Sequence, residues 1–162
     1  IVRIFGKNSY YKGNAKTKIK NLALDLNMNI NETEIHSISN SNTQEKGLDL
    51  IGWIPFKDNI PNLLTILGQC ACGKDWSQKQ FETHRYNNYL NFYKQTPIYS
   101  IFIPYSLTCE KNIFFQTDDI VKDVLVFDRL RILEYIYDVN FFKNLNSKEV
   151  VEKCLNSSFY II

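Results

Sequence analysis

The chain has 162 residues, is 44% hydrophobic and 22% charged, and carries a formal net charge of +2. That balance fits one globular domain with a sizeable core and excludes a disordered chain, while the net charge itself says little about partners. No apolar run approaches the roughly 20 residues that a membrane-spanning helix needs, so the expectation is a cytoplasmic protein with no membrane partner.

Ile1 to Phe5 reads as a short strand. It is too brief for the apolar stretch of a secretory signal, and a basic stretch follows it. The chain opens on Ile1 rather than Met, which is read as a segment of a longer protein, with 1–162 as a single domain of it. Asn14 is a fitting N-cap for a helix in which Ala15, Ile19, Leu22, Ala23 and Leu26 recur at helical spacing. Between Ile1 and Leu24 stand six basic residues and no acid. The plain reading is a solvated lysine face, and the functional one is a surface that tracks phosphates. Asn27 to Lys46, rich in Asn, Ser and Thr, reads as a long loop with a short extended piece at Glu34 to Ile38.

Two apolar runs then form a hairpin. The first, from Gly47, holds Leu48, Leu50, Ile51, Trp53 and Ile54 and one acid, Asp49. The second, Leu63 to Ala71, has Gln69 near its end. Strand side chains alternate, so Thr65, Leu67, Gln69 and Ala71 share one face and Leu64, Ile66, Gly68 and Cys70 the other. Both faces are largely apolar, which predicts a strand covered on both sides. Two prolines, Pro55 and Pro61, make the connection a true loop.

Ser77-Gln78-Lys79-Gln80 matches a capping box, and Trp76 and Phe81 stand where a hydrophobic staple would close it. The predicted helix runs to about Lys94 with Tyr86, Tyr89, Leu90 and Tyr93 inward. Lys79, His84, Arg85 and Lys94 add positive charge along it. Ile98 to Tyr105 and Val121 to Phe127 read as further strands, with Thr108 to Asp119 a loop between them. Asp128 is a candidate cap for a helix with Leu130, Leu133 and Ile136, and Ser147 opens a last helix with Val150, Val151, Cys154 and Leu155. The order predicts an α/β domain with a mixed sheet and helices on its faces.

An acid in an apolar strand is costly unless something pairs with it, and a metal ion is one such partner. The four cysteines, Cys70, Cys72, Cys109 and Cys154, lack the paired spacing of a zinc site. Cys70 and Cys72 are expected to point to opposite faces of a strand end, which argues against a disulfide.

The hairpin resembles that of the PD-(D/E)XK nuclease superfamily. The wording GLD followed by GQCACGKDW resembles the restriction-endonuclease-like domains of bacterial defence systems. The resemblance implies a core of order αβββαβ, with Ile1 to Phe5 or the Glu34 region as the additional strand. It matches Asp49 to the family's Asp and Gln69 to its Glu or Gln. The family's lysine position is Ala71 here, and Lys74 follows just past Gly73. The implied activity is Mg²⁺-dependent phosphodiester hydrolysis, with Mn²⁺ an alternative ion, on DNA before RNA. Metal ligands would be Asp49, Gln69 and the Cys70 carbonyl. Lys74 would supply the missing ammonium, reached through a turn at Gly73. Lys16, Lys20, Lys79 and Arg85 would contact nucleic acid, and further domains or subunits of a defence system would be the partners. The alternative is a nuclease-like module that binds nucleic acid or protein without cleaving.

Overall fold

The computed structural model describes residues 1–6, 8–42, 46–61, 63–93, 95–107, 120, 123–136 and 149. The expected loop at Thr108–Asp119, most of the helix after Ser147, Cys109 and Cys154 lie outside these residues. The chain divides into two compact units, Ile1–Arg129 and Leu130–Ile162.

The first unit is α/β, built on a mixed five-stranded sheet in the order β1-β2-β3-β4-β5. Its strands are β1 (Val2–Ile4), β2 (Leu50–Trp53), β3 (Thr65–Cys70), β4 (Ile98–Phe102) and β5 (Val124–Phe127). The β1–β2 and β2–β3 pairs are antiparallel, and the β3–β4 and β4–β5 pairs are parallel. The predicted hairpin is therefore present, with Ile51 opposite Leu67 and Leu50 opposite Gly68. The strand from Ile1 to Phe5 is the edge strand β1.

One face of this sheet is the core. Phe5, Ile51, Trp53, Leu67, Ala71, Tyr99, Ile101 and Val126 are buried there. On the other face Val2, Ile4, Ile66, Ile98 and Leu125 are exposed. The expectation that β3 is covered on both sides holds only in part: on the second face Ile66 and Cys70 are exposed, while Gly68 and its neighbour Ser100 on β4 are buried.

The first helix, α1 (Ala15–Asp25), forms as its stripe predicts. Asn14 Oδ1 accepts the Thr17 N–H at 3.0 Å, and Ala15, Ile19, Leu22 and Ala23 are buried. Its exit is closed by Asn27 at φ 52°, while the Met28 N–H returns to the Ala23 carbonyl at 2.8 Å. Asn is one of the few residues that accept this left-handed turn readily. The expected loop after it contains a further helix, α2 (Glu32–Ser37), instead of an extended piece at Glu34. Asn31 caps it by accepting the Glu34 N–H, with Glu32 and Glu34 in the first turn and His36 in the last.

The segment after β3 departs furthest from expectation. Trp76–Arg85 is a ten-residue 3-10 helix, followed by a short α-helical turn, α3 (Tyr86–Tyr89). The Gln78 N–H bonds the Asp75 carbonyl three residues back. The side chain preceding the helix, Asp75, makes no capping bond, and Gln80 Nε2 donates to the Ser77 carbonyl. The capping box is therefore absent in this conformation. Gln80, Thr83, Tyr86 and Tyr89 are buried. That is the three-residue repeat of a 3-10 helix, whose side chains eclipse every third position. Tyr93, predicted to point inward, is 71% exposed.

The described part of the second unit is mainly α4 (Arg129–Glu134), which starts on the last residue of the first unit and shows no buried residue. Asp128 follows β5 and immediately precedes α4, at the position where a cap was expected; it is buried, and its Oδ2 accepts the Leu107 N–H at 3.0 Å.

Candidate functional site

The parallel strands β3, β4 and β5 end at the same edge of the sheet, and β2, running the other way, begins there. Ligands in α/β sheets commonly bind outside the carboxyl ends of parallel strands. Asp49, Cys70, Cys72, Tyr105 and Asp128 all stand at this edge, within a few residues of a strand end.

Asp49 is gripped from both sides. Its carbonyl accepts the Phe5 N–H at 2.7 Å and the Gly6 N–H at 3.2 Å. Its Oδ2 accepts the Cys70 N–H at 2.8 Å. A Cβ on Gly6 would lie 2.8 Å from Asp49 Oδ1, so only glycine leaves room for the carboxylate as it stands.

The same residue interrupts the strand. The Asp49 N–H donates to the Gly68 carbonyl at 2.9 Å, yet Gly68 is the partner of Leu50. Two residues of one strand thus oppose one of the other, which is a β-bulge. Burial shows the slip: Leu48, Ile51 and Trp53 are buried, whereas Asp49, Leu50 and Gly52 are not. Asp49 consequently takes the phase of Leu50, on the side of Gly68 and Cys70. Gln69 keeps the phase of Leu67, on the core face.

The structure therefore brings Asp49 and Gln69 onto neighbouring strands but not onto one face. Gln69 is 7% exposed, and its Oε1 has no hydrogen-bond partner among the described residues. Ala71 is fully buried, its N–H bonded to the Phe102 carbonyl on β4. Backbone groups alternate sides along a strand. Since the Cys70 N–H faces β2, the Cys70 carbonyl belongs to that side too, the side of Asp49. A partly exposed carboxylate in a cradle that a Cβ would fill suits a hard cation such as Mg²⁺, which takes one or two carboxylates and keeps several waters. Gln69 does not suit it from where it stands. Among the described residues no group of three or more His, Cys, Asp or Glu side chains is placed to hold a metal ion.

Cys70 and Cys72 are both exposed free thiols. Burial, then the Asp49 carboxylate, then the Cys72 thiol push the Cys70 thiol up to about 11. It is thus protonated at neutral pH and a poor nucleophile. The Cys72 carbonyl is tied by the Tyr105 hydroxyl, which donates to it.

Lys74 is exposed in the turn between β3 and the 3-10 helix. The chain does bend at Gly73 and turn through Lys74 and Asp75, and it does so without a positive φ at Gly73. Lys79 is half-buried and Arg85 exposed, and they sit on one ridge of the 3-10 helix with Glu82 between them. The N-terminal lysines are less available than their sequence suggests. Lys20 pairs with Glu32 at 3.1 Å, and Lys16 Nζ donates to the His36 carbonyl at 3.2 Å. Both partners belong to α2, the helix that sequence reading missed. Its signal was Asn31 followed by Glu32 and Glu34, a cap with acids in the first turn.

No protein-family profile, curated protein or solved structure matches the chain. Among the described residues no helix is long and apolar enough to cross a membrane.

Proposed function

We propose that the chain is a restriction-endonuclease-like module acting on nucleic acid, DNA before RNA. It would serve as the Mg²⁺- or Mn²⁺-dependent nuclease domain of a cytoplasmic anti-phage defence protein, with Asp49 the carboxylate on which cleavage depends. One observation carries this reading. The bulge and the Gly6 cradle aim a partly exposed carboxylate to the strand-end edge of the sheet, beside the Cys70 backbone. A divalent ion, when bound there, supplies charge stabilisation for the phosphate and an activated water. Asp49 would hold that charge in place, its Oδ2 accepting the Cys70 N–H and its Oδ1 lying beside Gly6. Lys74, on the adjoining turn, offers an ammonium to the phosphate, its four-carbon stem bridging the displaced root. Lys79 and Arg85 contribute backbone contacts that carry no sequence preference.

A second reading has its own support. Gln69 stands on the core face and Ala71 is fully buried, so the strand itself presents neither the second oxygen nor the ammonium of the family pattern. That favours a nuclease-like module that binds nucleic acid or protein without cutting. The two readings separate on one assay. The protein is incubated with plasmid DNA and with RNA, in Mg²⁺ or in EDTA, beside Asp49→Ala and Asp49→Asn. Cleavage that needs the metal and drops to the EDTA level in both folded variants upholds the nuclease. Binding without metal-dependent cleavage selects the second reading, and cleavage retained by a folded Asp49→Ala removes the assignment of Asp49.

A further inference from the structure

The Trp76–Arg85 segment carries two incompatible sets of instructions. Its sequence holds the signals of an α-helix: Ser77 and Gln80 at capping-box spacing, with Trp76 and Phe81 at staple spacing. Its structure uses none of them. Ser77 offers its carbonyl to Gln80 Nε2, Phe81 is 56% exposed, and the helix begins without a side-chain cap. A 3-10 run of ten residues is long, since such runs seldom exceed about four residues.

The 3-10 winding also has a cost inside the core. It turns Thr83 inward to 1% exposure, and Thr83 Oγ1 has no hydrogen-bond partner among the described residues. The neighbouring His84 Nδ1 is buried without one as well. A buried polar atom left unmet is unfavourable, so this winding gives up free energy at both positions.

We infer that Trp76–Arg85 is a two-state element, 3-10 in the conformation described and α-helical in a second, minor one. In the α form Ser77 becomes the cap, Gln80 reaches back to it, and Phe81 closes on Trp76. Because rise falls from about 2.0 to about 1.5 Å per residue, a ten-residue segment shortens by about 5 Å. The shortening draws on the turn 73–75, which carries Lys74 at the edge where Asp49 stands. The two-state segment does not depend on the nuclease reading. The consequence for Lys74 does.

The test is backbone relaxation dispersion on the full chain, which detects exchange between microseconds and milliseconds. Amides from Ser77 to Tyr86 are expected to show exchange, while those of Ala15–Asp25 do not. Ser77→Ala removes the cap of the α form alone and is expected to cut the minor population about fivefold. Thr83→Val removes the unmet hydroxyl of the observed form and is expected to lower that population as well. Flat dispersion from Ser77 to Tyr86 in the wild type, or exchange unchanged by Ser77→Ala, overturns the inference. Neither outcome touches the cleavage assay, so the two proposals fail independently.

Discussion

Two helical segments pack in the same unit and satisfy opposite rules. The α1 helix buries Ala15, Ile19, Leu22 and Ala23, is capped by Asn14 at its start, and closes through Asn27 at its end. The 3-10 helix buries Gln80 and Thr83 on its ridge, has no side-chain cap, and leaves Phe81 outside the core. In α1, local preference and packing agree. In the 3-10 helix, the pull of the sheet overrides local preference, and polar groups are carried inward to satisfy the three-residue repeat. Stability in α1 is therefore held by burial and caps, and in the 3-10 helix mainly by its anchors, Trp76 at one end and Tyr86 just beyond the other.

The sharpest way to break this comparison is through those anchors. Leu22→Ala removes a fully buried side chain from α1 and is expected to cost about 2–5 kcal/mol. Tyr86→Ala, where the ring is fully buried and meets Phe5 and Tyr89 edge-on, is expected to cost at least as much. Denaturant midpoints at constant slope measure both. If Tyr86→Ala were nearly neutral, the 3-10 helix would not be anchored where the comparison places it.

The caps sharpen the contrast at smaller scale. Asn14 accepts both the Thr17 N–H and the Thr17 hydroxyl, each at 3.0 Å. Asn14→Ala is expected to cost about 1 kcal/mol. Ser77→Ala, at the position that resembles a cap but does not act as one, is expected to leave the midpoint within about 0.5 kcal/mol of wild type. Equal losses in the two variants would mean that Ser77 caps the major state.

These contrasts mark how far the sequence was legible. The α1 stripe, its cap and the β2–β3 hairpin were readable because apolar periodicity there coincides with the final packing. The α2 helix was passed over because its six residues carry one buried apolar side chain, Ile35, too few to show a period. The bulge at Asp49 was invisible because it is a property of two strands together. The resemblance matched Asp49 with Gln69, and one extra residue in the register put the two on opposite sides. The 3-10 winding was missed because its buried ridge is polar, and polar residues were assigned outward. Only their spacing, at Gln80, Thr83, Tyr86 and Tyr89, held the signal. The chemistry of the edge was legible as far as Asp49, whose lone charge in an apolar strand singles it out. Its cradle at Gly6 comes from a residue distant in sequence, which no local pattern reveals.

The finest distinction between the two segments is pH dependence. The buried positions of α1 are apolar apart from Lys18, whereas the 3-10 helix carries His84, whose ring stacks on Tyr99 at 3.7 Å between centroids. Burial lowers the His84 pKa below its ordinary 6.5, and the Asp123 carboxylate opposes that shift without cancelling it. A base with a depressed folded pKa binds its proton more readily in the unfolded chain. Between the unfolded and folded values the unfolded state therefore holds more protons, and stability rises with pH. The expected outcome is full stability above about pH 6.5, with a loss that begins as pH falls through that value. Since the ring is only partly buried, the loss is small. His84→Phe keeps a ring against Tyr99 and removes the titration. The difference in thermal midpoint between pH 7.5 and 5.5 is expected to shrink in that variant, with His36 present in both proteins and so cancelling. If the two proteins lose stability in parallel over this range, His84 is as well solvated as any surface histidine. The polar burial that separates the 3-10 helix from α1 would then stop at Thr83.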